Sequence, residues 1–279
     1  MSAKIPPFPY SDDVSETADW MELAVLRTTL PYKRGNLVTT MEREDATISA
    51  ADVLDELERR SGLMGDLWPL ALDDAKSILR IRGRGPSQGL YIFFAALGLR
   101  QNITNEGREL FEHCVTELTA GLTGNKGIRI GFPRRAPVPT SLADAVSAYC
   151  AAGVELEGKL KAPPLTDGDL GMDIANWVPF NDGRGGYVHF IGQCATGADW
   201  EDKLTELNPH KWGDHVNWAV PPVRFFATPF VIPTEAFRRS SLDGGLVLDR
   251  PRLMELASKT TVSARTIKKL REYTNTLYH

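Results

Sequence analysis

Two strand-like runs joined by a glycine-rich turn constrain this chain more than any other feature. They are MDIANWVPF and YVHFIGQCAT, residues 172–180 and 187–196, with NDGRGG between them. Side chains alternate across a strand. Asp173, Ala175 and Trp177 therefore share one side of the first run, and Tyr187, His189, Ile191, Gln193 and Ala195 share one side of the second. The Asn, Asp and Gly residues of the connection suit a hairpin turn. A hairpin closed there brings Asp173 and Gln193 together at its open end, on the same face. A buried amide without a partner costs about 1–3 kcal/mol, so a glutamine in an otherwise apolar strand is hard to explain as filler.

An aspartate and a second oxygen donor on adjacent strands, with a backbone carbonyl beside them, suit a hard divalent cation. Mg²⁺ keeps most of its water and needs only one or two protein oxygens. A bound water is then a nucleophile whose pKa a nearby lysine lowers further. Asp167 and Asp169, just upstream, read as turn formers.

The elements around this pair indicate an α/β chain. The first 125 residues read as mainly helical, with Ser49 capping TISAADVLDELERRSG up to a stop at Gly62, and Thr104 capping TNEGRELFEHCVTELTAGL. DDAKSILRIR and GLYIFFAALGL are expected to be two further helices. GNKGIRIGFPRRAPVPTS, rich in Gly, Pro and basic residues, reads as a loop carrying one short strand. Ser141 caps LADAVSAYCAAGV, DWEDKLTEL has helical spacing, VRFFATPFVIP reads as a strand, and RPRLMELASK and SARTIKKLREYTNTL close the chain as helices. The expected division is a helical region over 1–125 and an α/β domain over 126–279.

Composition narrows the function. The formal charge of −4 over 279 residues gives no global basic field, so a nucleic-acid surface has to be local. Its candidates are Arg134 and Arg135, Lys211 in the aromatic loop NPHKWGDHVNW, and Lys268 and Lys269 near the C-terminus. Three widely spaced cysteines suggest no disulfide framework, and no apolar run reaches eighteen residues. A cytoplasmic protein with no membrane partner is expected. GRGPSQG lacks the Gly-Lys-Ser/Thr ending of a phosphate loop, and no Gly-x-Ser-x-Gly elbow occurs, which disfavours nucleotide hydrolysis and serine esterase chemistry.

The stretch GDLGMD followed by GQCA resembles the PD-(D/E)xK restriction-endonuclease-like superfamily, in its Mrr-like branch, over residues 140–235. The resemblance implies a mixed sheet flanked by helices, with SLADAVSAYCAAGV as the first core helix and DWEDKLTEL as the second. It implies Mg²⁺ or Mn²⁺ held by Asp173, Gln193 and the Cys194 carbonyl, with DNA as substrate. It also implies a bacterial defence setting with a partner protein. A further carboxylate from the first helix is represented by Glu155, Glu157 or Asp144. One position departs from the pattern, because Ala195 stands where the lysine is expected. Either the lysine was removed to silence the enzyme, or Lys203 has taken over its role, or the site is dead. The corresponding functions are a metal-dependent DNA endonuclease with Asp173, Gln193 and Lys203 as its catalytic residues, or an inactive relative that binds nucleic acid or assembles with partners.

Overall fold

Helix boundaries follow the capping chemistry of the sequence. In the computed structural model, which describes residues 5–9, 12–83, 87–159 and 170–278, the Asp13 carboxylate accepts from the Ser15 and Glu16 amides and opens α1 (Val14–Thr28). Asp167 and Asp169 lie outside the described residues. β1 (Tyr32–Lys33) and α2 (Arg34–Arg43) follow, and then Ser49 caps α3 (Ala50–Met64). This helix runs past Gly62, the expected stop, and ends at Gly65, whose φ is +53°.

The run DDAKSILRIR is not the helix its composition suggests. Asp73 accepts from the amides of Ser77 and Ile78 and from the Ser77 hydroxyl, which fixes a tight turn. That turn joins β2 (Leu70–Leu72) to β3 (Ile78–Ile81), and both pair antiparallel in a small β1–β3–β2 sheet. The local bonds of one aspartate override the helical propensity of its neighbours.

Next come α4 (Gln88–Gly98), α5 (Asn105–Leu118, capped by Thr104) and α6 (Ala120–Thr123). β4 (Ile128–Arg129) is the short strand of the basic loop, and Ser141 caps α7 (Leu142–Gly153). β5 (Leu156–Glu157), β6 (Ile174–Trp177) and β7 (His189–Cys194) follow. DWEDKLTEL forms only a 3-10 turn over Asp202–Thr205, held by bonds between residues three apart, because Asn208 and Pro209 immediately begin a separate helix, α8 (Pro209–Trp212). β8 (Val216–Asn217), β9 (Val223–Ala227), α9 (Thr234–Gly244), β10 (Leu246–Leu248), α10 (Arg250–Lys259) and α11 (Ala264–Thr276) complete the chain. The strand expected over VRFFATPFVIP stops at Ala227.

The central sheet has the order β10-β9-β7-β6-β4. β4, β6 and β7 are antiparallel neighbours, whereas β7, β9 and β10 run parallel. Ile174 and Ala175 point to opposite faces, and each face is covered by its own apolar cluster. On one face, Ile174, Phe225 and Leu248 pack with residues of α1, α3, α4, α5, α10 and α11. On the other, Ala175, Trp177 and Ile191 pack with Val146 and Tyr149 of α7 and with Trp212. The first cluster extends from Phe8 to Tyr278, so both sides of position 125 contribute to it. The architecture is α/β, and among the described residues no helix is long and apolar enough to cross a membrane.

A buried charge node ties the first helix to the tenth. Asp19 and Glu22 on α1 meet Arg60 of α3 and Arg250 of α10, all essentially inaccessible to water. Trp68 and Tyr91 donate to the remaining Glu22 oxygen. Burial pushes the Glu22 carboxyl above its usual value, against the pull of the two guanidiniums.

Candidate functional site

The β6–β7 register pairs Ile174 with Gly192 and Ala175 with Ile191, and Asp173 and Gln193 both follow at the open end of these strands, where they border one cleft. Asp173 is anchored on both sides. Its carbonyl accepts from the amides of Ile130 (2.6 Å) and Gly131 (3.0 Å) after β4, and its own amide donates to the Gly192 carbonyl (2.9 Å). Its Oδ2 accepts from the Cys194 amide at 2.7 Å. In an extended strand the N–H and C=O of one residue point to the same side, so the Cys194 carbonyl faces the β6 side of β7. The Cys194 thiol is held protonated, because burial pushes its pKa up and the Asp173 and Glu112 carboxylates push it further.

Glu112 brings the second carboxylate, from α5. A Cβ added to Gly131 would meet Asp173 Oδ1 at 2.7 Å and Glu112 Oε2 at 2.8 Å, so the two carboxylates face one small space that the glycine leaves open. Arg129 of β4 donates from Nε to Glu112 Oε2 at 2.6 Å and from Nη1 to the Pro133 carbonyl, which fixes the Glu112 side chain. Glu112 was not foreseen. In the sequence it sits beside Phe111 on an ordinary amphipathic helix, and only the packing of α5 near β4 gives it a role. The carboxylates weighed instead lie elsewhere: Asp144 bonds to the Ser141 hydroxyl at the exposed start of α7, Glu157 is exposed, and Glu155 accepts from the Ala219 amide.

These groups line a cleft of about 740 Å³ at the C-terminal end of β7. Asp173, Glu112, Gln193, Cys194, Lys203 and Lys211 all border it, as do Arg108 and Glu206. Lys203 stands half-buried on the 3-10 turn, and its ammonium makes no ion pair among the described residues. Gln193 is 5 % exposed; its Nε2 donates to Glu206 Oε2 at 2.5 Å, while its Oε1 is buried without a hydrogen-bond partner among the described residues. Ala195 borders the cleft too, at 3 % exposure, packed with Trp200, Leu204 and Phe226.

The other basic candidates do not join the cleft. Arg134 is buried and donates to the Thr140 carbonyl, and Arg135 is paired with Glu109. Lys268 and Lys269 stand exposed on α11, Lys268 beside Glu272. Among the described residues no three His, Cys, Asp or Glu side chains converge as a metal cage. The donor set at the cleft is mixed instead: two carboxylates, one orphaned amide oxygen and one backbone carbonyl. An all-oxygen set with few charges fits Mg²⁺ or Mn²⁺, which retain water, better than a soft metal.

Comparison of the chain with protein-family models, with curated proteins and with solved structures found no match.

Proposed function

We propose that the protein is a metal-dependent DNA endonuclease of the restriction-endonuclease-like class, acting at this cleft. The observation that carries the reading is that Asp173 and Gln193, at the open end of the β6–β7 pair, border one cleft with Lys203. The element order supports it: helix α5 with Glu112, antiparallel β4, β6 and β7, the short turn with Lys203, then β9 parallel to β7. Asp173, Glu112, the Gln193 Oε1 and the Cys194 carbonyl would hold Mg²⁺, which when bound supplies positive charge and Lewis acidity at the scissile phosphate. Lys203 orients the attacking water and offsets the charge that builds on the phosphate oxygens. Arg108 and Lys211 on the cleft wall meet the flanking phosphates. Water adds to phosphorus and gives up a proton, the P–O bond to the leaving oxygen breaks, and that oxygen takes up a proton in its place, so the step is a net hydrolysis.

A second reading, an inactive nucleic-acid-binding or assembly protein, is favoured by Ala195 and by the net negative charge of the chain. Plasmid nicking in Mg²⁺ or Mn²⁺ separates the two. Cleavage by the wild type that Lys203→Ala removes is the expected outcome. Cleavage only after Ala195→Lys identifies a site that has lost its lysine, and no cleavage by any of the three overturns the nuclease reading in favour of the binding one.

A further inference from the structure

A primary amide presents either its oxygen or its NH₂ to a given neighbour, and flipping it exchanges a cation ligand for a cation repellent. In Gln193 that choice is not left to the cation. Glu206 has only acceptors to offer, so at 2.5 Å from the carboxamide nitrogen it admits the NH₂ and rejects the oxygen. The oxygen is then the end left unpartnered, in a side chain only 5 % exposed that borders the cleft. Glu206 itself is exposed, one residue beyond the 3-10 turn that carries Lys203, so the same short segment sets both side chains.

We propose that Glu206 is a positioning residue that locks the Gln193 amide with Oε1 available to a divalent cation, letting a neutral glutamine act where a carboxylate would otherwise be needed. The inference rests on the cation-binding reading of the cleft. Partners that orient a metal ligand from behind typically contribute 10- to 100-fold in metal affinity.

The test is Mn²⁺ binding to the full chain, followed by electron paramagnetic resonance and calorimetry, with thermal melts as a folding control. Wild type should bind, and Asp173→Ala should abolish binding. Glu206→Ala should weaken Mn²⁺ about tenfold without a comparable loss of melting temperature, because the side chain is exposed. Gln193→Glu alone sets two carboxylates against each other and should also weaken binding. The exchanged pair Gln193→Glu with Glu206→Gln restores an amide donor facing a carboxylate, so it should bind at least as tightly as wild type, a non-additivity that a merely structural role does not produce. Unchanged Mn²⁺ affinity in Glu206→Ala, or no recovery in the exchanged pair, overturns the positioning role while Asp173 dependence keeps the cation site intact. Failure of the wild type to bind Mn²⁺, or binding that survives Asp173→Ala, overturns the cation reading itself and the inference with it.

Discussion

Arg250 and Asp19, 231 residues apart in the chain, form a two-pronged ion pair: Nη1 reaches Oδ1 at 2.5 Å and Nη2 reaches Oδ2 at 2.9 Å. Both side chains are buried, and Arg250 also donates to the Pro229 carbonyl beyond β9. Arg250→Met leaves two buried carboxylates, Asp19 and Glu22, sharing the single guanidinium of Arg60. Urea denaturation should show a loss of about 3–5 kcal/mol.

Gly131→Ala tests the small space between Asp173 and Glu112 without removing a carboxylate. The new methyl falls within 3 Å of both carboxylates, so one has to turn away. Mn²⁺ affinity and nicking should drop together by at least tenfold, while overpacking at this one point costs about 1–3 kcal/mol of stability. Retention of full metal affinity in a folded Gly131→Ala protein refutes the shared-space geometry.

Asp249, the cap of α10, is buried, and burial pushes its carboxyl up to about 6. In the unfolded chain an aspartate titrates near 3.9. The folded state therefore holds more protons than the unfolded one between these values, and stability falls as pH rises from about 4 to 6 and levels off above. Asp249→Asn keeps the capping oxygen and abolishes the titration. It should match the wild type at pH 4 and exceed it at pH 7 to 8 by up to about 3 kcal/mol in denaturant titrations.

Tyr149 organises a buried polar cluster on the opposite side of the sheet from the charge node. Trp218 Nε1 donates to the Tyr149 hydroxyl (3.0 Å), the hydroxyl shares a hydrogen bond with His189 Nδ1 (2.7 Å), and His189 Nε2 lies 3.2 Å from Glu155. Burial lowers the His189 pKa, outweighing the nearby Glu155. The unfolded chain takes up this proton first, so the cluster's contribution is present above pH 6.5 and is lost as pH falls below it. Tyr149→Phe leaves Trp218 and His189 without this partner and should cost about 1–3 kcal/mol at pH 8 by thermal or chemical melts.

What the sequence disclosed and what it concealed divides by range. That Asp173 and Gln193 reach the same end of the β6–β7 pair needs only a hairpin pattern and a turn composition, both local, and the caps at Ser49, Thr104 and Ser141 are equally local. Glu112 is illegible in the sequence because its place at the cleft depends on α5 lying beside β4 and on a part-buried bond to Arg129, 17 residues away. Arg134 reads as a free cation until tertiary packing buries it. The β2–β3 hairpin is hidden in the sequence because one aspartate's side-chain bonds outweigh the helical character of its neighbours.

The mounting of Glu112 has an engineering consequence. Asp173 and Gln193 ride on the sheet, whereas Glu112 rides on a helix whose apolar face belongs to the cluster extending from Phe8 to Tyr278. The cleft is thus not a cassette that can be cut out: a fragment begun at residue 126 discards one carboxylate and strips the cover from Ile174, Phe225 and Leu248. Transplanting the cleft into another protein means carrying both ends of this chain along with it.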